Sequence, residues 1–331
     1  MQHFEQRADN SFINFPKSNS PFLLIAVAIL FGFTKESGCA DETMIPVVDT
    51  HIHLYDLARL PGLPWPPQSD KLLYRSFLAD EYNKVIVKNN LAGVIVVEAS
   101  PRVSDNDWVL YHTQEYKDKY LGLIGALEFD KETFKDDLKR LCQNERFLGL
   151  RIGTQYLDQP ANRNYMKDPV VRANLQHLSD TSKTLDFLLI KLDMDDLLYI
   201  AKNYPKLKVV INNIHHVITV EDEQSTQQQE KIKEAASYPN VYCKVTSLIH
   251  QCTVEPAAKD LPDMKKKLEK VLDLFGEDRL IYGSNWPCII KDGEFSDHFK
   301  EINDYFSPKG RGVLEKLYYK NAEKAYGFRL K

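Results

Sequence analysis

One short stretch of the chain combines residue types that bind metals and transfer protons. Residues 47–53 read Val-Val-Asp-Thr-His-Ile-His, so two imidazoles stand two positions apart. Strand side chains alternate, which predicts two faces: Asp49, His51 and His53 on one, Val48, Thr50 and Ile52 on the other. A polar inner face suits a strand that opens on a cavity, as at the mouth of a closed barrel. The imidazoles there can hold a divalent metal or pass protons, and the alternative is a hydrogen-bonded pair at a strand end.

Other polar side chains lie where further apolar runs end. They are Glu98, Arg151, Asn212, Asn213, His215, His216, Lys244, Asn285 and Trp286. Cationic side chains can hold a carboxylate or stabilise an oxyanion, which makes Arg151 and Lys244 candidates for substrate binding. Each candidate also has an interpretation without chemistry, such as a salt bridge at a strand end for Arg151 and core packing for Trp286. His215 lies two positions after Asn213, so its side chain returns to the same face and can take the role of the missing histidine. The alternative is that His215 and His216 both lie on a solvated loop.

Eight apolar runs bounded by turn residues predict the strands that position these side chains. The expected strands are Val47–His53, Gly93–Glu98, Leu121–Leu127, Phe147–Ile152, Leu185–Leu189, Lys208–Asn212, Val241–Val245 and Arg279–Gly283. Helical spacing predicts helices at Asp80–Asn90, Asp107–Tyr120, Lys131–Gln143, Asp168–Ser179, Asp193–Tyr204, Ile232–Ser237, Asp263–Phe275 and Gly312–Tyr326. Strands that alternate with helices indicate a closed parallel (β/α)8 barrel, in which the carboxyl ends of the strands face one bowl. An open doubly wound sheet is the alternative, but no glycine-rich phosphate loop follows any strand.

A proline-rich loop, Leu60–Pro67, follows the first strand. Its prolines exclude a helix. Trp65 within it is interpreted as a lid or substrate wall over the bowl, or as an anchor for the loop.

The motifs, taken in chain order, resemble one family. Asp49–Asp56 reads D-T-H-I-H-L-Y-D and resembles the D-x-H-x-H-x-x-D opening of the amidohydrolase-2 family of metal-dependent hydrolases. Later signatures of its sugar-lactonase-like branch are similar, in the same order, to Val96–Ala99, Leu148–Arg151, Val241–Ser247 and Arg279–Pro287. The resemblance spans residues 47–328. It implies a (β/α)8 TIM barrel and hydrolysis of a lactone, or a related carbonyl reaction, in the bowl.

Two positions depart from the family pattern. Asn285 stands where the motif commonly has an aspartate, and Asn213 stands where a histidine is expected. An amide can position a ligand, but it accepts no proton usefully near neutral pH and is a poor zinc ligand. One zinc-like divalent ion would have His51 and His53 as ligands, with Glu98 or His215 as the third. We therefore expect a metal to bind weakly or to be absent.

The amino-acid composition restricts the kinds of partner that this protein can bind. The 331 residues include 43% hydrophobic residues and carry a net charge of −4. That content suffices for a full core, and interleaved charges without a basic face argue against nucleic acid binding. Five cysteines show neither metal-finger spacing nor a disulfide framework. The sequence makes no prediction of oligomeric state.

The first 44 residues are excluded from the fold. Pro21–Phe33 is an uncharged apolar run, too short for a membrane span and suited to the core of a signal peptide. Ser37-Gly38-Cys39 follows and resembles the end of a bacterial lipoprotein signal. We expect export, with membrane attachment by lipidation at Cys39; if this segment is a disordered arm instead, the protein is cytoplasmic. Residues 45–331 are expected to form one domain.

Together with these residues, the resemblance implies a hydrolase of a small lactone or a related carbonyl substrate. The expected catalytic residues are His51, His53 and Asn285, and the expected substrate-binding residues are Glu98, Arg151, Lys244, Asn213, His215 and Trp286. The two asparagines leave a catalytically impaired binding barrel open as an alternative. A lyase that uses the same bowl for decarboxylation or hydration is a third hypothesis.

Overall fold

Eight parallel strands, in chain order, form the sheet at the centre of the molecule. The computed structural model describes residues 44–60, 62–153, 165–189, 194–213, 226–246, 261–291 and 293–331. The strands are β1 (Val48–Ile52), β2 (Gly93–Val97), β3 (Tyr120–Gly125), β4 (Phe147–Ile152), β5 (Thr184–Phe187), β6 (Val209–Ile211), β7 (Val241–Val245) and β8 (Leu280–Tyr282). Met44–Lys331 forms one compact unit.

Contacts between the two outer strands complete the barrel. The backbone N–H of Asn285 donates to the carbonyl of His51 at 2.7 Å, and the N–H of His53 donates to the carbonyl of Trp286 at 2.7 Å. The hydroxyl of Thr50 in β1 donates to the carbonyl of Tyr282 in β8, also at 2.7 Å. The predicted (β/α)8 TIM barrel is therefore confirmed.

Helices connect the strands and cover the barrel. They are α1 (Ala79–Lys88), α2 (Val103–His112), α3 (Phe134–Leu141), α4 (Pro169–Ser179), α5 (Met194–Asn203), α6 (Thr226–Ser237), α7 (Leu261–Phe275), α8 (Phe295–Phe306), α9 (Arg311–Glu315) and, after a π-helical turn at Lys316–Lys320, α10 (Asn321–Tyr326). The prediction for α2 was wrong at both ends, because the helix begins at Val103 and ends at His112. Tyr120, its predicted last residue, already belongs to β3. The prediction also missed α8, although Phe295, Phe299 and Ile302 lie at helical spacing on its core side.

The alternation predicted for β1 is interrupted in the structure. Its pairing register with β2 shifts between Asp49 and Ile52. Val48 belongs to the same apolar cluster as Ile95, whereas Ile52 belongs to the larger cluster around the strands. A register shift moves the side chains after it to the other face. The prediction that Val48 and Ile52 share a face was therefore wrong.

Apolar side chains from the strands and the C-terminal segment form what we call the inner cluster. Its buried members are Val48, Ile95, Val97, Ile124, Leu148, Val210, Tyr242, Ile281, Ala322, Ala325, Tyr326 and Phe328. The hydroxyl of Thr184, the first residue of β5, donates to the carbonyl of Ala325 at 2.8 Å. The end of α10 therefore packs against the interior of the barrel near the start of β5.

The described helices include none that is both long and apolar enough to cross a membrane. Pro21–Phe33 and Cys39 lie outside the described residues. Export and lipidation therefore stay predictions.

Candidate active site

Two buried imidazoles lie at the end of β1. The ring centroids of His51 and His53 are 5.0 Å apart, with their planes at 77°. His53 Nδ1 lies 3.0 Å from the carbonyl oxygen of Val97 and 3.1 Å from that of Glu98. Carbonyl oxygens only accept, so Nδ1 carries the proton and Nε2 keeps its lone pair. Neither ring nitrogen of His51 has a hydrogen-bond partner among the described residues.

Burial holds both imidazoles in the neutral state. Desolvation lowers the pKa of His51 well below its usual value, and the positive charge of Lys244 adds to the effect. Desolvation, with the charge of Arg151 as the next cause, lowers the pKa of His53 to about 3. A neutral imidazole can accept a proton or bind a metal near neutral pH.

A buried ion pair lies beside His53. Arg151 Nε donates to Glu98 Oε1 at 2.6 Å, and a second guanidinium nitrogen donates to the Glu98 carbonyl at 2.7 Å. The side chains are 7% and 3% exposed. Arg151 thus reaches from β4 to the end of β2. Its guanidinium and the His53 ring both contact the backbone carbonyl of Glu98.

A second buried pair joins Lys244 of β7 to Asp186 of β5. Lys244 Nζ lies 2.6 Å from Asp186 Oδ2, and both side chains are fully buried. Asn212 Nδ2 donates to the same oxygen at 2.7 Å, and the Tyr326 hydroxyl donates to Asp186 Oδ1 at 3.0 Å. Sequence reasoning missed Asp186, although an acid inside the apolar run Leu185–Leu189 was a usable signal. It also missed Tyr326, which no local pattern marks.

Asp49 and Asn285 fasten the ends of β1 and β8 together. The Asp49 carboxylate accepts the backbone N–H groups of His51 at 3.1 Å and Ser284 at 2.8 Å, and the hydroxyl of Tyr82 at 2.5 Å. Burial raises the pKa of Asp49, and these donors oppose the shift. Asn285 is buried with φ at 63°. The structure thus places Asn285 next to the backbone of His51, while Asp49 anchors the backbone instead of bonding the imidazole rings.

The remaining predicted residues lie in different surroundings. Trp286 is 4% exposed and packs against Phe77 and Tyr82 with ring centroids 5.2 and 4.9 Å away, which favours core packing over a substrate wall. Asn213 is partly buried, and its Oδ1 has no hydrogen-bond partner within the described part of the chain. His215 and His216 lie outside the described residues.

The proline-rich loop brings Trp65 to the imidazoles. The indole lies 5.5 Å from the His53 ring and 5.3 Å from the Tyr55 ring, measured between centroids. Further along the same connection, Asp70 Oδ2 pairs with Lys291 Nζ at 2.5 Å. The connection after β1 is thereby tied to the short helical turn Cys288–Lys291 that follows β8.

The described residues do not complete a catalytic zinc site. They contain no group of three His, Cys, Asp or Glu side chains arranged to hold a metal, and catalytic zinc normally has three protein ligands. His51 and His53 supply two imidazoles. Glu98, one predicted third ligand, pairs with Arg151, and His215, the other, is not among the described residues.

Comparison with known proteins gives a consistent similarity. A family model described as amidohydrolase matches residues 48–328. The chain is 26% identical to L-fucono-1,5-lactonase from Burkholderia ambifaria over 251 residues, which cover 76% of this chain and 83% of that protein. It is 23% identical to L-rhamnono-gamma-lactonase from Scheffersomyces stipitis, with coverage of 85% and 98%.

A solved structure shares the fold. The crystal structure of an amidohydrolase from Burkholderia multivorans with bound zinc superimposes with a TM-score of 0.75 at 18% identity. The match covers 86% of this chain and all of that one.

Proposed function

Because the chain belongs to the amidohydrolase family, we propose that it hydrolyses a small, sugar-type lactone in the bowl at the carboxyl ends of the strands. The observation that carries the proposal is the pair of buried, neutral imidazoles at the end of β1. The two lactonases among its relatives support this substrate class.

The charges around the imidazoles support a neutral substrate. Arg151 and Lys244 were predicted to hold a carboxylate of the substrate or to stabilise an oxyanion. Each pairs with a buried acid of the chain itself, Arg151 with Glu98 and Lys244 with Asp186. An anionic substrate would have to compete with these internal carboxylates in a low-dielectric interior. A lactone carries no charge, so this arrangement favours it over the acid substrate of a decarboxylase.

The chemistry is attack of water on the lactone carbonyl. One imidazole, from His51 or His53, accepts a proton from the attacking water at a ring nitrogen with a free lone pair. The carbonyl oxygen becomes a transient oxyanion, and Arg151 and Lys244, whose charges act on both imidazoles even though each cation is paired with an acid, are the groups that would stabilise it. The bond from the carbonyl carbon to the ring oxygen then breaks, and the imidazolium returns the proton to that oxygen. The product is the open-chain hydroxy acid.

A divalent metal, where present, would be an ion bound by the two imidazoles. When bound, such an ion would polarise the carbonyl or the attacking water. His51 and His53 would hold it, and the described residues offer no third His, Cys, Asp or Glu side chain arranged with them. The steps above use the side chains of the chain alone.

The test is a pH-indicator screen of sugar lactones with purified protein, run beside a measurement of its metal content. We expect turnover of at least one lactone, and its loss in the double variant His51→Gln, His53→Gln. The exposed imidazole of His112 in α2 gives the control, because His112→Gln should leave turnover unchanged. Undiminished turnover in the double variant would contradict the proposal.

A second candidate is a binding barrel without catalysis. Asn213 and Asn285 favour it, because amides stand where the chemistry of the family pattern uses a histidine and an aspartate. It predicts that lactones raise the unfolding temperature without being hydrolysed. Clean turnover by the wild-type protein removes it.

A further inference from the structure

The carboxylate of Asp186 is where the barrel interior meets the last helix. Asp186 Oδ1 accepts the hydroxyl of Tyr326 at 3.0 Å. Asp186 Oδ2 accepts Lys244 Nζ at 2.6 Å and Asn212 Nδ2 at 2.7 Å. All four side chains are buried. Tyr326 has no role in the proposed hydrolysis, although its hydroxyl reaches Asp186 in the barrel interior.

Three donors hold this carboxylate in one orientation. Loss of one donor leaves a buried oxygen without its hydrogen bond, which is costly and frees the carboxylate to turn. Lys244 Nζ also lies 5.6 Å from the centroid of the Tyr326 ring, within reach of a cation–π contact. The ammonium of Lys244 therefore depends on Tyr326 twice, through Asp186 and through the ring itself.

Lys244 in turn acts on His51. Its charge is the next cause, after burial, of the lowered pKa of His51. The ends of β7 and β1 approach each other around Gly283, where an added Cβ would lie 2.7 Å from His51 Cβ and 2.9 Å from Thr246 Cγ2. Thr246 follows Lys244 by two residues, so the alternation of strand side chains places both on the same face of the chain, the one that meets His51 at Gly283.

We propose that Tyr326 is a positioning residue of the candidate active site, which orients Asp186 so that the ammonium of Lys244 keeps a fixed position in the barrel interior, where its charge acts on the imidazole of His51. The C-terminal helix thereby contributes to the chemistry as well as to closing the barrel interior. The kinetic part of this proposal rests on the lactone hydrolysis proposed above.

The variant Tyr326→Phe removes only the hydroxyl, and Tyr318→Phe is its matched control. Tyr318 is also buried, lies in the same C-terminal helical segment, and donates its hydroxyl to Asn303 at 3.0 Å. We expect Tyr326→Phe to lower kcat at least about fivefold (equivalent to ~1 kcal/mol in the barrier) with KM within about twofold of wild type. Tyr318→Phe should leave both constants within about twofold.

The Cε1–H resonance of His51 in the NMR spectrum, assigned by its loss in His51→Gln, provides a readout independent of turnover. It should shift in Tyr326→Phe and stay in place in Tyr318→Phe. If the wild-type protein opens no lactone, the proposed function fails, and this resonance alone decides the role of Tyr326. An unmoved resonance overturns the proposal. In an active enzyme, an unchanged kcat, or an equal loss of kcat in both variants, overturns it as well.

Discussion

The proposed chemistry depends on two buried imidazoles at the end of one strand. His51 and His53 are 0% and 5% exposed, and both pKa values lie below the usual value. Solvation strongly favours the charged form of an imidazole, so its loss leaves both rings neutral. The candidate site therefore contains two imidazoles whose neutral form persists to lower pH than that of an exposed imidazole.

This neutrality predicts an unusual pH profile. A base is lost when pH falls through its own pKa, and for His53 that value is about 3. We expect kcat/KM for lactone hydrolysis to vary by less than about twofold between pH 5 and pH 8. A sigmoidal loss of activity centred near pH 6.5, measured in a pH-stat, would show that the acting imidazole titrates normally.

The buried pair of Lys244 and Asp186 predicts a large loss of stability when one partner is removed. Lys244→Met leaves the Asp186 carboxylate buried and uncompensated, and we expect a cost of about 3–5 kcal/mol in urea unfolding. Replacing both partners, in Lys244→Met with Asp186→Leu, should recover much of the loss.

An exposed ion pair provides the control for that measurement. Lys88 pairs with Glu294, and these side chains are 61% and 68% exposed. Lys88→Met should change the unfolding free energy little, because solvent screens such pairs. A Lys244→Met protein as stable as the wild type would contradict the burial of this pair.

At the scale of the elements, the close approach of β1 and β8 positions the site. The segment after β8 pairs with the end of β1 through His51, His53 and the carboxylate of Asp49. Gly283 lies within this contact. A side chain there would meet His51 and Thr246 at less than 3 Å, so glycine is needed for the strands to meet.

Gly283→Ala is therefore expected to disturb both stability and activity. The added methyl group must displace His51 or Thr246, at a cost of about 1–3 kcal/mol, and lactone turnover should fall because the imidazole moves. Gly312→Ala is the control, since nothing lies within 4 Å of its added Cβ in α9, and helix propensity favours alanine there. Equal unfolding free energies for the two variants would contradict the steric argument.

At the scale of the whole molecule, the barrel is one compact unit closed by its own last helix. Met44–Lys331 contains all eight strands and the C-terminal residues of the inner cluster. The final turns of the chain are therefore part of the core.

A chain that begins at Met44 is expected to fold by itself. Its unfolding temperature should lie within about 2 °C of that of the full chain, because Met44–Lys331 is a compact unit with its own apolar core. Differential scanning calorimetry of the two proteins, with lactone turnover as second readout, checks this. A drop of 10 °C or more would show that residues 1–43 contribute to the folded barrel.

The sequence by itself determined the order and nearly all positions of the strands, because burial on both faces of a parallel sheet requires continuous apolar runs that are visible locally. It also identified the imidazole pair and the cations that interrupt such runs. Tertiary structure alone decided which groups neutralise the cations. Glu98 and Arg151 are 53 residues apart, Asp186 and Lys244 are 58 apart, and Asp186 and Tyr326 are 140 apart. Charge pairing depends on distance across the closed barrel and on exclusion of water, and local periodicity encodes neither.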